Sequence, residues 1–205
     1  MRLLILGATG GTGRALIDQA RARGHGVTAF VRSPQKLGGA RDGVTVLRGD
    51  PLNVTELRAV LPGHEAVLSA LGAPGPGRTT ILRDSGRATV EAMHAAGTRR
   101  LLVVSVAALF DNAGFVPALF RRTILRNIVA DAAEMERAIM DSDLDWTIAR
   151  PPRLTNGPLT KRYRVADGRL PRGKIWVSRA DVADFLLNEL EDRRHIHEIV
   201  GVTGA

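Results

Sequence analysis

Cysteine is absent from the 205 residues of the chain, which excludes disulfide bonds, thiolate metal sites and cysteine nucleophiles. No apolar run approaches the ~20 residues that a membrane-spanning helix needs. The first residues lack the basic lead and the small-residue cleavage site of a secretion signal. We therefore expect a cytoplasmic protein without a membrane segment.

Lysine and aromatic residues are scarce as well. Lysine supplies three of the 29 basic residues, at Lys36, Lys161 and Lys174, and aromatic residues make up 4% of the chain. The formal net charge of +8 suits anionic ligands such as cofactor phosphates or an acidic substrate, although a GC-rich genome explains the same bias toward arginine. The few aromatic residues and the lack of a long basic run argue against a nucleic-acid partner.

The beginning of the chain carries the most informative motif. An apolar strand at 3–6 runs into a glycine-rich turn, and a helix is predicted at 14–23. A strand, a tight glycine turn and a helix form a cradle for the phosphates of a dinucleotide, and the helix start adds free N–H groups. No Gly-Lys-Ser/Thr sequence follows, so the turn is not a P-loop. The residues of the predicted cradle are Gly7, Thr9, Gly10, Gly11, Thr12 and Gly13.

Strands and helices alternate along the rest of the chain. Further strands are predicted at 27–31, 44–47, 66–71, 101–105 and 146–149, and further helices at 53–61, 79–96 and 123–142. This alternation predicts an α/β fold, a single Rossmann-type doubly wound parallel sheet of order 3-2-1-4-5-6 with helices on both faces. We expect one domain over 1–205, in which 151–205 form a small C-terminal extension on the substrate side. That extension includes strands at 163–166 and 198–202 and a helix at 178–190, where Ser178 and Asp181 have cap spacing.

The turn after the second strand indicates which dinucleotide is bound. Sites for NAD carry an acidic residue there, whereas this chain has Arg32, Ser33 and Lys36. Arg32 can hold a 2′-phosphate, with Ser33 and Lys36 in reach, which predicts a preference for NADPH over NADH; the alternative is a solvated basic loop without a ligand. Asp50 either contacts the adenine ring or caps the next helix, which has capping-box residues at Asn53 and Glu56.

Several motifs together resemble the short-chain dehydrogenase/reductase superfamily, in its atypical NAD(P)-binding branch. They are Gly7-Ala-Thr-Gly-Gly-Thr-Gly13, Val31-Arg32, Gly49-Asp50, Leu71-Gly72, Val104-Ser105 and Asp145-Trp-Thr-Ile-Ala-Arg-Pro-Pro-Arg153-Leu. Within that superfamily the chain is most similar to the biliverdin IXβ reductase/flavin reductase branch and its NmrA-like relatives. The resemblance implies an NADPH-binding Rossmann monomer that reduces flavins, biliverdins or quinone-like compounds, with Leu71 and Gly72 among the cofactor-binding residues.

The catalytic residues of the superfamily are missing. The chain has one tyrosine, Tyr163, and Asp167 stands where the partner lysine of a Tyr-x-x-x-Lys pair belongs. Arg153 occupies the position of the histidine that follows the double proline in the resembled branch. Direct hydride transfer to a flat acceptor remains, because the cofactor supplies that chemistry itself. The catalytic candidates are Ser105 and Arg153. Ser105 is also a candidate cofactor contact, or its hydroxyl satisfies a backbone group at the strand end, whereas Arg153 is either a clamp for an acidic substrate or a surface residue. Pro151 and Pro152 are expected to flank the nicotinamide.

These observations predict an NADPH-dependent reductase of a flat, anionic small-molecule acceptor, as a monomer or homodimer. The alternative is a non-catalytic, redox-sensing NADP(H)-binding regulator. The segment 110–126, rich in phenylalanine and arginine, is a candidate lid, dimer interface or ordinary helix face. His195 and His197 alternate and are expected to share one strand face, with Glu198 on the other, so that no metal site is expected.

Overall fold

The computed structural model describes residues 1–38, 43–73, 75, 77–111 and 126–205. These residues form ten strands and five α-helices, which alternate up to β6; β7, β8 and β9 then follow without a helix between them. The strands are β1 Arg2–Leu6, β2 Gly26–Val31, β3 Val44–Arg48, β4 Ala66–Ser69, β5 Arg100–Val104, β6 Asp145–Arg150, β7 Arg153–Thr155, β8 Tyr163–Asp167, β9 Trp176–Ser178 and β10 Glu198–Gly204. The helices are α1 Gly11–Ala22, α2 Val54–Val60, α3 Ile81–Ala96, α4 Arg126–Met140 and α5 Arg179–Asp192.

Eight strands form one sheet of order β3-β2-β1-β4-β5-β6-β10-β8. The predicted order 3-2-1-4-5-6 is confirmed, and the C-terminal part of the chain extends it by two strands. β10 is parallel to β6, whereas β8 is antiparallel to β10. A separate pair of short parallel strands, β7 and β9, was not predicted from the sequence. The carboxyl ends of β1 to β6 and β10 therefore meet at one edge of the sheet.

Helices cover both faces of the sheet, as predicted. On one face, α1 contributes Leu16 and Ile17 and α5 contributes Leu186 to a single buried cluster. On the other face, the buried cluster contains Met93 of α3 and Met135 of α4. The strands between them are buried on both sides, which explains their continuous apolar sequences.

The ends of some elements differ from the prediction. β4 ends at Ser69 rather than at residue 71, because its neighbour β1 ends at Leu6, the partner of Ser69, and turns away at Gly7. The side chain of Asn53 caps α2 by accepting hydrogen bonds from the N–H groups of Thr55 (3.0 Å) and Glu56 (3.3 Å). The reciprocal half of the capping box is absent, since Glu56 accepts instead from the backbone N–H of Asp50 at 2.9 Å.

Within the described part of the chain, no helix is both long and apolar enough to cross a lipid bilayer.

Candidate functional site

The glycine turn between β1 and α1 has the geometry of a phosphate-binding loop. Gly7 has a φ of +72°, and a Cβ there would lie 2.5 Å from the carbonyl oxygen of Ala70. A Cβ on Gly13 would lie 2.3 Å from the carbonyl oxygen of Gly7. Both positions therefore require glycine, the first for its backbone conformation and both for close packing.

The start of α1 is open to an anion. The first helical hydrogen bond of the turn joins the N–H of Arg14 to the carbonyl of Gly10 at 2.9 Å, so the preceding N–H groups lie at the helix end. Gly10 offers no side chain as a cap, and the first turn contains no acidic residue. Thr9 lies partly buried in the turn and Thr12 is buried beside it. Free N–H groups and the positive end of the helix dipole favour a bound phosphate.

A basic turn follows β2 at the same edge of the sheet. The segment Pro34–Leu37 forms one turn of 3-10 helix, closed by the N–H of Lys36 on the carbonyl of Ser33 at 3.0 Å. Arg32 and Lys36 are exposed, and Ser33 is partly buried. The predicted 2′-phosphate residues thus share one turn.

Arg14 joins the glycine turn to the basic turn, and the sequence reasoning missed it. Its Nε donates to the carbonyl of Thr9 at 3.2 Å, and its guanidinium also donates to the carbonyl of Lys36. The signal in the sequence was an arginine immediately after the last glycine of the turn. Arg14 adds a third cation to this corner of the site.

Asp50 follows β3 and lies beside the end of β2. The N–H of the preceding Gly49 donates to the carbonyl of Val31 at 3.0 Å. The Asp50 carboxylate accepts from the N–H of Leu52 at 3.0 Å and does not cap α2, because Asn53 does. Of the two interpretations offered by the sequence, the helix cap is therefore wrong, and contact with the adenine ring stays a prediction.

The loop after β4 leaves room above the glycine turn. Leu71 is partly buried against the α3 face of the core, and Gly72 is exposed. A Cβ on Gly72 would meet no heavy atom of the described residues within 4 Å, so protein packing does not require glycine there. Open space at this position fits the predicted contact with a cofactor.

Ser105 lies at the tip of β5, between the glycine turn and the double proline. It is 6% exposed, and its N–H donates to the carbonyl of Ala149 at 2.8 Å. Among the described residues, its Oγ has no hydrogen-bond partner. The hydroxyl therefore does not satisfy a backbone group at the strand end, and it is free to bind a ligand.

The double proline connects the sheet to the small β7–β9 pair. The carbonyl of Pro151, which is buried, accepts a hydrogen bond from the N–H of Ala107 at 2.9 Å, and Pro152 is partly buried. Arg153 begins β7, where its register partner is Trp176 of β9. Its side chain is exposed and makes no hydrogen bond or ion pair with any described residue. Arg153 is thus available to a ligand, but the structure does not bring it into contact with Ser105.

Tyr163 has a structural role away from the glycine turn. Its hydroxyl donates to Oδ2 of Asp184 at 2.9 Å and accepts from the side-chain amide of Asn188 at 2.9 Å. Asp184 also pairs with Arg23 of α1 at 2.8 Å. Burial, and next the bond to Asp184, raise the pKa of Tyr163 far above its usual range. This tyrosine is not a proton donor of the site, in agreement with its missing lysine.

The histidines near the C-terminus do not share a strand face. β10 begins at Glu198, so both histidines lie in the preceding turn. His195 lies between Glu189 (2.7 Å) and Asp167 (3.1 Å), whereas the ring of His197 bonds the carbonyl of Leu144. Carboxylate oxygens of Asp167 and Glu198 and a ring nitrogen of His195 lie within 4.8 Å of one another. The expectation that Glu198 points away from the histidines is therefore wrong; this cluster is at the amino end of β10, opposite the glycine turn.

Most of the candidate lid, residues 112–125, lies outside the described residues. The described Phe110 is buried, with the guanidinium carbon of Arg150 lying 4.7 Å from its ring centre.

Comparison with known proteins shows the family to which the chain belongs. A family model described as NAD(P)H-binding matches residues 7–193. The chain is 29% identical to the uncharacterized protein YwnB of Bacillus subtilis, over 97% of this chain and 96% of that protein. It is 31% identical to a 3-diazoavenalumate denitrifying reductase of a Streptomyces species, over 100% of this chain and 71% of that protein. It is 27% identical to a Streptococcus pneumoniae protein of known structure that is suggested to be an NADH-flavin reductase. The two structures superpose with a TM-score of 0.82, over 100% of this chain and 100% of that protein.

The fold and the site define a Rossmann-type dinucleotide-binding protein. The chain belongs to the NAD(P)H-binding family, with oxidoreductase-like relatives.

Proposed function

We propose that the chain is an NADPH-dependent reductase that transfers hydride to a flavin-, biliverdin- or quinone-like acceptor. The family supports nucleotide binding, and two of the proteins to which the chain is similar are named as reductases. The observation that carries the proposal is the buried, unpartnered Oγ of Ser105 at the carboxyl end of β5. Ligands of this fold lie at that edge of the sheet.

The basic turn supports the proposed preference for NADPH. Arg32 and Lys36 are exposed beside the start of α1, and no carboxylate occupies the turn. A charge-assisted hydrogen bond contributes about 1.5–3 kcal/mol, which corresponds to a tenfold or larger difference in affinity. Neither Arg32 nor Lys36 forms an ion pair with a described side chain, so no carboxylate of the described residues has to be displaced from these two cations by a 2′-phosphate.

The chain's own residues act by binding and orientation. When bound, the nicotinamide supplies a hydride, which carries two electrons to the acceptor. The Ser105 hydroxyl donates to the nicotinamide carboxamide or to an acceptor oxygen and so holds the two rings in register. Pro151 and Pro152 limit the movement of the backbone that flanks them. Arg153 holds an anionic group of the acceptor as a fixed cation, and any proton comes from water because arginine is a poor acid.

Steady-state kinetics tests the proposal. Purified protein is mixed with NADPH or NADH and with FMN, biliverdin or a quinone. Oxidation of the nucleotide is followed by the loss of the absorbance of its reduced nicotinamide. The proposal expects turnover with at least one acceptor, faster with NADPH. Repeating the assay without oxygen separates reduction of the acceptor from a leak of electrons to oxygen, because only the first persists and yields one reduced acceptor for each NADPH oxidised.

A redox-sensing regulator is the second candidate. It is favoured because the described residues supply neither of the expected proton donors: Tyr163 is held by Asp184 and Asn188, and Arg153 rather than a histidine follows the double proline. This candidate predicts tight NADP(H) binding without turnover on the acceptor panel. A change in proteolytic sensitivity between NADPH and NADP⁺ complexes would favour it over the reductase.

The setting of this reaction belongs to the proposal too. We place the protein in the cytoplasm, with a flat anionic small molecule as its substrate, and as a monomer or homodimer without a membrane or nucleic-acid partner. The chain's positive net charge and lack of cysteine support this setting.

A further inference from the structure

The side chain of Arg179 lies directly on the glycine turn. A Cβ built on Gly11 would lie 2.5 Å from Cδ of Arg179 and 3.0 Å from its Nε. The first separation is too short for any pair of non-bonded carbon atoms, so a side chain at position 11 would displace the arginine. Gly11 is therefore glycine for a different reason from Gly7 and Gly13. It leaves room for a cation that comes from the far end of the sequence.

Two short strands place this cation. β7 and β9 are parallel, and Thr155 is the register partner of Ser178. The next residues, Asn156 and Arg179, therefore emerge side by side. Nη1 of Arg179 donates to Oδ1 of Asn156 at 2.7 Å. Ser178 caps α5 by accepting from the N–H of Asp181 at 2.9 Å, which fixes Arg179 as the first residue of that helix.

Arg179 has no carboxylate partner among the residues that the structure describes. Arg23 and Arg150, whose side chains are 21% and 12% exposed, each have a carboxylate partner, Asp184 and Glu136 respectively. None of the ion pairs among the described residues includes Arg179. Its side chain starts at the positive end of α5 and reaches the positive end of α1, and both ends disfavour a cation. An anion between these groups would relieve that repulsion.

We propose that Arg179 is a further cofactor-binding residue, which holds the pyrophosphate of the dinucleotide against the glycine turn, with Asn156 as its positioning residue. The inference rests on the proposed NADPH binding. A guanidinium suits this task because its planar set of N–H donors matches two phosphate oxygens at once. Nη1 donates to Asn156 and to the carbonyl of Leu154 at 3.4 Å, Nε lies beside Gly11, and neither Nε nor Nη2 has a hydrogen-bond partner among the described residues. The pyrophosphate is common to NADH and NADPH, so Arg179 adds affinity without selecting between them.

Calorimetry with three ligands tests this assignment. NADPH contains both the pyrophosphate and the 2′-phosphate, NADH contains the pyrophosphate alone, and adenosine 2′-monophosphate contains the 2′-phosphate alone. In Arg179→Ala we expect NADPH and NADH to weaken by the same factor, about tenfold or more, and adenosine 2′-monophosphate to keep its affinity. Arg32→Ala is expected to show the opposite pattern, with losses for NADPH and adenosine 2′-monophosphate only.

Two further variants keep the test decisive. Arg194→Ala removes an exposed arginine just beyond the other end of α5, and we expect no loss of affinity for any of the three ligands. Asn156→Ala should weaken both dinucleotides by a smaller factor than Arg179→Ala. Wild-type affinity for NADPH in Arg179→Ala, or an equal loss for adenosine 2′-monophosphate, would overturn the inference. Failure of the unmutated protein to bind any of the ligands would instead refute the proposed function.

Discussion

The buried carboxylate of Glu136 on α4 pairs with the guanidinium of Arg150 at the end of β6, with Nε and Oε1 at 3.0 Å. The Glu136 side chain is 2% exposed and that of Arg150 is 12% exposed. The pair joins a helix to the strand that leads into Pro151, and the same guanidinium covers Phe110. It therefore holds α4 and Phe110 against the end of the strand that precedes the double proline.

Replacing Glu136 by glutamine should destabilise the fold strongly. The change leaves the Arg150 charge buried without its counterion, a loss of about 3 kcal/mol in the free energy of unfolding. For a chain of this size that corresponds to a fall of roughly 6–12 °C in the melting temperature. Glu134→Gln is the matched control, because Glu134 lies on the same helix in an exposed pair with Arg137 and should cost about 0.5 kcal/mol or less. Equal melting temperatures for the two variants would contradict this account.

Asp131 of α4 supplies the cap that α3 lacks in its own sequence. Its carboxylate accepts hydrogen bonds from the N–H groups of Leu82 (3.1 Å) and Arg83 (3.0 Å), and Thr80 makes no side-chain cap. Asp131→Ala should therefore lower the free energy of unfolding by about 2 kcal/mol, measured by urea denaturation. Asp141→Ala removes an exposed aspartate just beyond α4 and should change stability by less than about 0.5 kcal/mol. A neutral Asp131→Ala would show that the cap does not contribute.

Ser105→Ala should separate activity from stability. The Oγ makes no hydrogen bond among the described residues, so removing it leaves the free energy of unfolding unchanged or slightly higher. NADPH oxidation should fall by about 10- to 100-fold, since the hydroxyl orients the reacting rings. Ser142→Ala should do the reverse, because its hydroxyl donates to the carbonyl of Ile139 at 2.6 Å and lies outside the site. Unchanged turnover in Ser105→Ala would remove the serine from the mechanism.

Tyr163 is the single tyrosine of the chain, so its ionisation can be followed by absorbance. Burial and the bond to Asp184 raise its pKa, and we expect the folded protein to titrate well above the value of about 10 that the chain shows in denaturant. Above that pH the unfolded chain loses a proton that the folded protein retains. Stability should therefore fall as pH rises in this range. Titration of the folded protein at the ordinary value would indicate that the contact with Asp184 and Asn188 is not formed.

Local patterns predicted those parts of the molecule that depend on neighbouring residues. The glycine spacing around Gly7 and Gly13 predicted the turn, and the spacing of Ser178 and Asp181 predicted the cap of α5. The repeated strand–helix alternation predicted the strand order, because right-handed crossovers leave few alternatives. The basic residues at 32–36 directly follow the second predicted strand, so the sequence also predicted that they share one turn.

Contacts between distant segments could not be predicted in this way. The cap of α3 by Asp131 depends on how two helices pack across 49 residues of sequence. The position of Arg179 over Gly11 depends on the short β7–β9 pair, whose strands of three residues give too little pattern to recognise. β10 begins only at Glu198, and His195 and His197 lie in the turn before it rather than on a strand.

The central claim is that the glycine turn binds a dinucleotide and that Arg32 selects its phosphorylated form. Isothermal titration of the unmutated protein and of Arg32→Ala with NADPH and NADH tests it most directly. We predict that the unmutated protein binds NADPH about tenfold or more tightly than NADH, and that Arg32→Ala binds both with the affinity of the unmutated protein for NADH. Equal affinities in the unmutated protein, or an unchanged NADPH affinity in the variant, would contradict the claim.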